Sequence, residues 1–316
     1  MEEANFMVKI GKSTVESTAL GLGTNAVGGN NLFPNLKDDT GIQIVKTALE
    51  SGITLLDTAF AYGMGHSEEL IGKAIKGYDR SKFVIATKAA QDTSGSEVTI
   101  NNSPEFLKQA VNDALKRLQT DYIDIFYIHF PDDNTPKDEA VAALNEMKKE
   151  GKIKAIGVSN FSLDQIKEAN KDGLVDVVED QYSLLHRDAE KELFPYLREN
   201  NISFVPFFPL ASGLLTGKYS KEVTFPEDDI RHGNPDFEGS RFEKIVDTVD
   251  SLKPLADKHG VTMAELILAW YMKNPDITVV IPGAKKPEQV QSNAKALNTS
   301  ISDADYQEID EKFKNL

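Results

Sequence analysis

The residues best suited to chemistry gather between Asp57 and Lys88, where the sequence reads LLDTAFAYGMGHSEELIGKAI and, after a turn at GYDRS, KFVIATK. An apolar run closes on Asp57, Tyr62 lies in the loop behind it, an amphipathic helix follows, and a second apolar run closes on Lys88. This β-loop-α-β unit sets all three polar side chains at the carboxyl ends of adjacent parallel strands, the edge on which α/β folds carry their sites. A free phenol has a pKa of about 10 and is a poor proton donor at neutral pH. An ammonium close by favours the phenolate and lowers that value, and a buried ammonium in turn needs a carboxylate partner. Asp57 holding Lys88, with Lys88 beside Tyr62, makes Tyr62 a usable general acid. Each residue taken singly also has a plainer assignment: Asp57 as the N-cap of the next element, Lys88 as a solvated strand end, Tyr62 as loop packing.

The elements that must position these residues alternate along the chain. Residues 7–11 and 12–20 read as a β-hairpin ahead of the main fold. Gly21-Leu22-Gly23-Thr24-Asn25-Ala26 fits a G-x-G-x-x-A dinucleotide fingerprint, but that motif requires a helix to open at its second glycine. Gly28, Gly29, Asn30, Asn31 and Pro34 follow instead, so a strand and a long loop are expected and a Rossmann domain is rejected. Helices are predicted over 39–50, 104–118 with Ser103 as N-cap and Pro104 at the first position, 137–149, 163–171, 188–200 and 287–296. Strands are predicted at 152–160, 175–181, 202–210 and 277–283, with another ending at His129. Residues 211–239 break the rhythm, two helical segments are expected within 241–273, and 302–313 forms one further helix. About eight strands, nearly each followed by a helix and with no linker-like break, predict a single (β/α)8 TIM barrel over 1–316, with the hairpin in front and the extra helix behind.

Composition narrows the function. The chain has 316 residues and no cysteine, which excludes disulfides, thiolate metal sites and cysteine nucleophiles. Its formal charge of -15 repels nucleic acid and anionic membrane surfaces. No apolar run approaches the roughly 20 residues of a membrane span, and residues 1–12 lack a leader's apolar core, so a cytoplasmic protein is expected. His66, His186, His232 and His259 have no metal-ligand spacing, and no metal is expected.

The strings LDTAFAYG, ATK, YIHFPD, IGVSNF and IPGAKKPEQVQSN, in this order at successive strand ends, resemble the aldo-keto reductase family over almost the whole chain. The strings GLGTNAVGGNNLFPNL and FPLASGLLTGKY are similar to the bacterial branch that includes the inositol-operon reductase. The resemblance implies an NADP(H)-dependent oxidoreductase that reduces aldehydes and ketones, or oxidises the alcohols, with the cofactor bound in extended form. It makes Tyr62 the general acid/base, Lys88 and Asp57 its tuning pair, and His129 the group that orients the carbonyl; outside the family, a lone strand-end histidine is commonly structural.

For the cofactor, the resemblance implies contacts from Thr24 and Asn25 behind the first strand, Asp57, Ser159, Asn160 and Gln181 around the nicotinamide carboxamide, and Phe207 stacked on the ring. Phe208, Pro209, Leu210, Ala211, Ser212 and Lys218 follow along the pyrophosphate, Arg231 toward the adenosine, and Gly283, Lys285, Gln289 and Asn293 at the far end. Lys285 and Lys286 form a basic spot on an acidic protein, which selects NADP through its 2'-phosphate. Gln289 stands where many members carry arginine. Phe33, Phe60 and Phe130 are candidates to wall an apolar pocket, and Trp270 reads as core. The substrate, a small carbonyl compound or alcohol, and the oligomeric state are left open. A second reading is a dinucleotide-binding regulatory subunit with slow turnover, as in channel-associated relatives.

Overall fold

The computed structural model describes residues 7–229, 231–314 and 316. The reading of residues 1–12 as free of a leader's apolar core falls partly on 1–6, which lie outside the described residues. Seven parallel strands form one sheet: β1 (Gly21–Gly23), β2 (Leu55–Asp57), β3 (Val84–Ala89), β4 (Ile123–Ile128), β5 (Ile153–Ser159), β6 (Val177–Gln181) and β7 (Ser203–Phe207). Each pairs with the next in chain order, joined through helical connections that return the chain to the same edge, as a parallel ladder needs.

The predicted eighth strand is a correction. Residues 277–283 make only bridges, Leu20 with Val280 and Gly23 with Gly283. Pro282 has no N–H to give to a ladder. The segment still closes the barrel, because Thr278 N–H donates to Phe204 O on one side (2.9 Å) and Gly21 N–H to Val280 O on the other (2.8 Å).

Strand alternation sorts the core in two. Leu55, Val84, Ala86, Ile125, Tyr127, Ala155, Val177, Val205, Val279 and Ile281 fill the barrel interior, and Ile10 and Val15 of the hairpin plug its floor. A larger apolar layer lies between barrel and helices. Gly157 leaves room inside for Tyr127, since a Cβ there would come 2.3 Å from the ring. The hairpin pairs Met7–Lys9 with Glu16–Thr18, antiparallel.

The helices are α1 (Asp38–Glu50), α2 (His66–Ala74), α3 (Pro104–Leu118), α4 (Lys137–Lys149), α5 (Leu163–Ala169), α6 (Leu193–Glu199), α7 (Gly239–Asp250), α8 (Lys253–His259), α9 (Met263–Lys273), α10 (Pro287–Ala294) and α11 (Asp303–Phe313). Ser103 caps α3 by accepting from Phe106 N–H, with Pro104 in the first turn. Three expectations fail, each at a proline or glycine. The helix predicted over 188–200 starts only at Leu193, because Pro195 is tolerated in a first turn but not in an interior. Between 241 and 273 there are parts of three helices rather than two: Pro254 opens α8 and the left-handed Gly260 ends it. Behind β1 the chain makes one helical turn, Asn25–Gly28, in place of a wholly irregular loop. Among the described residues no helix is long and apolar enough to cross a membrane.

Candidate active site

Inward-facing positions alternate along each strand, so every strand delivers one last interior side chain to the barrel mouth. β2 delivers Asp57 and β3 delivers Lys88, each 1% exposed. Lys88 Nζ lies 2.6 Å from Asp57 Oδ1 and donates to Thr58 O at 2.9 Å. Its third neighbour is Glu179 of β6, with Oε1 at 3.1 Å and 2% of the residue exposed. One ammonium thus faces two buried carboxylates.

Tyr62 reaches this cluster from the loop after β2. Its ring centroid is 5.5 Å from Lys88 Nζ. The loop is fixed by a turn in which Gly63, Met64 and Gly65 all take left-handed backbone, and Gly65 N–H donates to Phe60 O at 2.7 Å. Gly63 is required, since a Cβ there would sit 2.1 Å from Gly28 O. Asn31 clamps the peptides on either side of Tyr62: its Nδ2 donates to Ala61 O (3.0 Å) and its Oδ1 accepts from Gly63 N–H (2.7 Å). Buried Glu68 steadies the helix behind the loop, accepting from Thr87 Oγ1 and from Nε of the half-buried Arg117.

The electrostatics differ from the expectation built on Lys88 alone. Tyr62 is only partly buried by surface, yet loss of water around its phenol pushes the pKa up to about 12. Lys88 pulls it down, Asp57 pushes it up again, and a charge on Glu179 would push it the same way. Lys88 itself is held well above the ordinary range; burial opposes its charge, and the two carboxylates more than offset that. His129, just beyond β4, is held down to about 3 by burial and by the Lys88 ammonium. Its imidazole is therefore neutral, and its buried Nδ1 has no hydrogen-bond partner among the described residues.

The remaining sequence-predicted residues fall around this centre. Ser159 is buried, and Asn160, at a left-handed φ of 59°, donates from Nδ2 to His129 O at 3.1 Å. Gln181 ends β6 exposed, its N–H turned to the Asp180 carboxylate. Thr24 ties β1 to the site by donating from Oγ1 to Asp57 O at 2.7 Å. Asn25 opens the helical turn, with its Oδ1 3.2 Å from where a Cβ on Gly283 would lie. Phe207 and the exposed Phe208 form an edge-on pair, and Pro209 O accepts from Tyr271 Oη.

From Phe208 the backbone turns repeatedly left-handed, at Phe208, Ala211, Ser212, Gly213 and Gly217. Within it the N–H groups of Ala211 and Gly213 donate to Phe208 O and Leu210 O, and non-glycine residues held in left-handed backbone mark functional sites. Lys218 folds over this segment, since a Cβ on Gly213 would meet Lys218 Nζ at 2.5 Å.

Arg231 is already engaged, by Asp229 and by Tyr219 Oη at 2.8 Å. Lys285 Nζ lies 4.6 Å from the Phe33 ring, Gln289 accepts from Lys285 N–H, Lys286 is exposed, and Asn293 is buried on α10. Phe60 lies under the Arg117 guanidinium at 5.0 Å. Sequence reasoning missed Glu179 and Asn31. Parity would have found the first, because Val177, Glu179 and Gln181 share the inward face of one strand.

A model of the aldo/keto reductase family matches residues 19–314. Aldo-keto reductase YhdN of Bacillus subtilis is 35% identical over 308 residues, covering 97% of this chain and 93% of that protein. The NADH-specific methylglyoxal reductase of Escherichia coli is 37% identical over 315 residues, covering 94% and 95%. Among solved structures, the glycerol dehydrogenase AKR11B4 from Gluconobacter oxydans superposes with a TM-score of 0.89 at 32% identity, over 99% of this chain and 96% of that one. The holo form of aldo-keto reductase AKR11C1 from Bacillus halodurans gives 0.81 at 29% identity, over 97% and 95%.

Proposed function

The chain belongs to the aldo/keto reductase family, and from that premise we propose that it is a nicotinamide-dependent carbonyl reductase with Tyr62 as its general acid. The observation that carries the reading is the ring of Tyr62 centred 5.5 Å from a buried ammonium, with a neutral imidazole at the same mouth. A reduced nicotinamide dinucleotide, when bound, supplies the hydride that the carbonyl carbon accepts. The left-handed segment after β7 with Lys218 would hold its pyrophosphate, and Ser159, Asn160 and Phe207 its nicotinamide. Tyr62 gives its proton to the carbonyl oxygen, and His129 donates to the same oxygen and fixes its direction. Lys88 stabilises the phenolate left behind, and Asp57 keeps Lys88 in place. A phenol held near 12 stays protonated throughout the physiological range, the form in which it can give a proton to a carbonyl oxygen.

NADPH is the proposed cofactor, on the strength of Lys285 and Lys286. The Escherichia coli relative is NADH-specific, and Gln289 is uncharged, so the preference rests on those two lysines. Small aldehydes and ketones are the proposed substrates. The test is NADPH consumption over an aldehyde panel by wild type and Tyr62→Phe. The variant is expected to keep cofactor binding and to lose about 10²- to 10⁴-fold in turnover. Near-normal turnover would remove Tyr62 from the mechanism, and tight cofactor binding with no turnover on any panel member would favour the regulatory alternative.

A further inference from the structure

Glu179 belongs to none of the roles so far assigned. It sits 2% exposed on β6, its Oε1 3.1 Å from Lys88 Nζ, and Lys88 already has Asp57 Oδ1 at 2.6 Å. The outer oxygens, Asp57 Oδ2 and Glu179 Oε2, are both buried without a hydrogen-bond donor among the described residues. Two ionised carboxylates on one ammonium would leave a net negative charge inside the barrel and two buried acceptors unsatisfied, each costing about 1–3 kcal/mol or more. One proton between them removes both problems.

We propose that Glu179 is a neutral carboxylic acid that donates its proton to Asp57 Oδ2, making it the positioning residue that holds the Asp57–Lys88 pair against Tyr62. The groups facing it are Asp57 from β2, Lys88 from β3, Tyr62 from the loop after β2 and Tyr127 from β4, with His129 at the rim. Burial and the Asp57 charge raise the proton affinity of Glu179, and Lys88 opposes them. Tyr127 is raised as well, by burial first and then by Glu179, and stays a neutral phenol. Of the two carboxyls Glu179 takes the proton, because Asp57 has the shorter contact with Lys88. The consequence for Tyr62 is direct: a neutral Glu179 spares the phenol a second anion. The role as a positioning residue rests on the reductase reading; the protonation itself does not.

The experiment is infrared spectroscopy of the whole chain carrying carbon-13 at its glutamate side chains, joined to pH profiles of the reductive and oxidative single turnovers. The expected result is a protonated glutamic acid carbonyl band at pH 7 that disappears in Glu179→Gln. In that variant, where the amide copies a neutral acid, both limbs of the pH profile should stay in place and kcat should remain within a few-fold of wild type. Glu179→Ala, which leaves Asp57 Oδ2 bare, should lower kcat by about tenfold or more with little change in KM. No such band in wild type, a band that persists in Glu179→Gln, or a Tyr62 limb that moves down by a unit or more in that variant would each overturn the proposal. The wild-type spectrum serves even where a variant does not fold. Failure of the reductase reading would show instead as an inactive wild type on the aldehyde panel, with the band unaffected.

Discussion

Replacing Lys88 by methionine removes the cation on which the proposed chemistry turns while keeping a side chain of similar length. With Nζ 5.5 Å from the Tyr62 ring centroid, a unit charge at an effective dielectric of about 20 stabilises the phenolate by about 3 kcal/mol. At about 1.4 kcal/mol per unit, its loss lifts the phenol by about two pH units. The phenolate population at a fixed pH then falls about 100-fold, and single-turnover alcohol oxidation falls with it while its rising limb moves to higher pH. Reduction uses the protonated phenol, so it should lose less, and by a factor that does not vary with pH. Rapid mixing, followed by nicotinamide absorbance, separates the chemical step from cofactor release. Leaving a buried carboxylate unpaired costs about 3–5 kcal/mol, so rates are compared at a temperature where circular dichroism finds both proteins folded. An oxidative limb at the wild-type midpoint, or a loss of less than about tenfold in the folded variant, would refute the coupling of Lys88 to Tyr62.

Replacing both Lys285 and Lys286 with alanine should weaken NADPH about tenfold or more while leaving NADH nearly unchanged in fluorescence titrations; equal losses would show that these lysines do not read the 2'-phosphate. His129 gives a stability prediction. Its imidazole is held at about 3 against an ordinary 6.5, so below pH 6.5 the unfolded chain takes up a proton that the folded chain refuses, and stability is lost as pH falls from there toward 3. His129→Gln should flatten that acid slope in urea midpoints; an unchanged slope would mean that the buried imidazole is not its source.

Much of the site was legible because a barrel strand announces its end: an apolar run stops and a polar residue stands where the interior meets the mouth. Asp57, Lys88 and His129 were read this way. Glu179 was not, because β6 closes on three polar residues in succession, Glu179, Asp180 and Gln181, and only the parity running back to Val177 says which face inward. Fold details failed where proline acts on the backbone. Pro282 thins the eighth strand to bridges, Pro195 shortens a helix, and Pro254 starts an extra one. Asn31 carries no pattern at all; its clamp on the Tyr62 loop exists only once β1 and β2 lie side by side.

The missed carboxylate changes the electrostatic argument as well as the residue roster. Read along the chain, Asp57, Tyr62 and Lys88 form one carboxylate, one phenol and one ammonium, and a lone ammonium predicts a lowered phenol. Closing the barrel brings a second carboxylate, from a strand far away in sequence, onto the same ammonium and shields the whole group from water. Dehydration then outweighs the charge, and the phenol rises to about 12. In this barrel Lys88 limits that rise rather than activating Tyr62 outright. The proton proposed on Glu179 acts in the same direction, because each negative charge kept out of the cluster keeps the phenol from rising further.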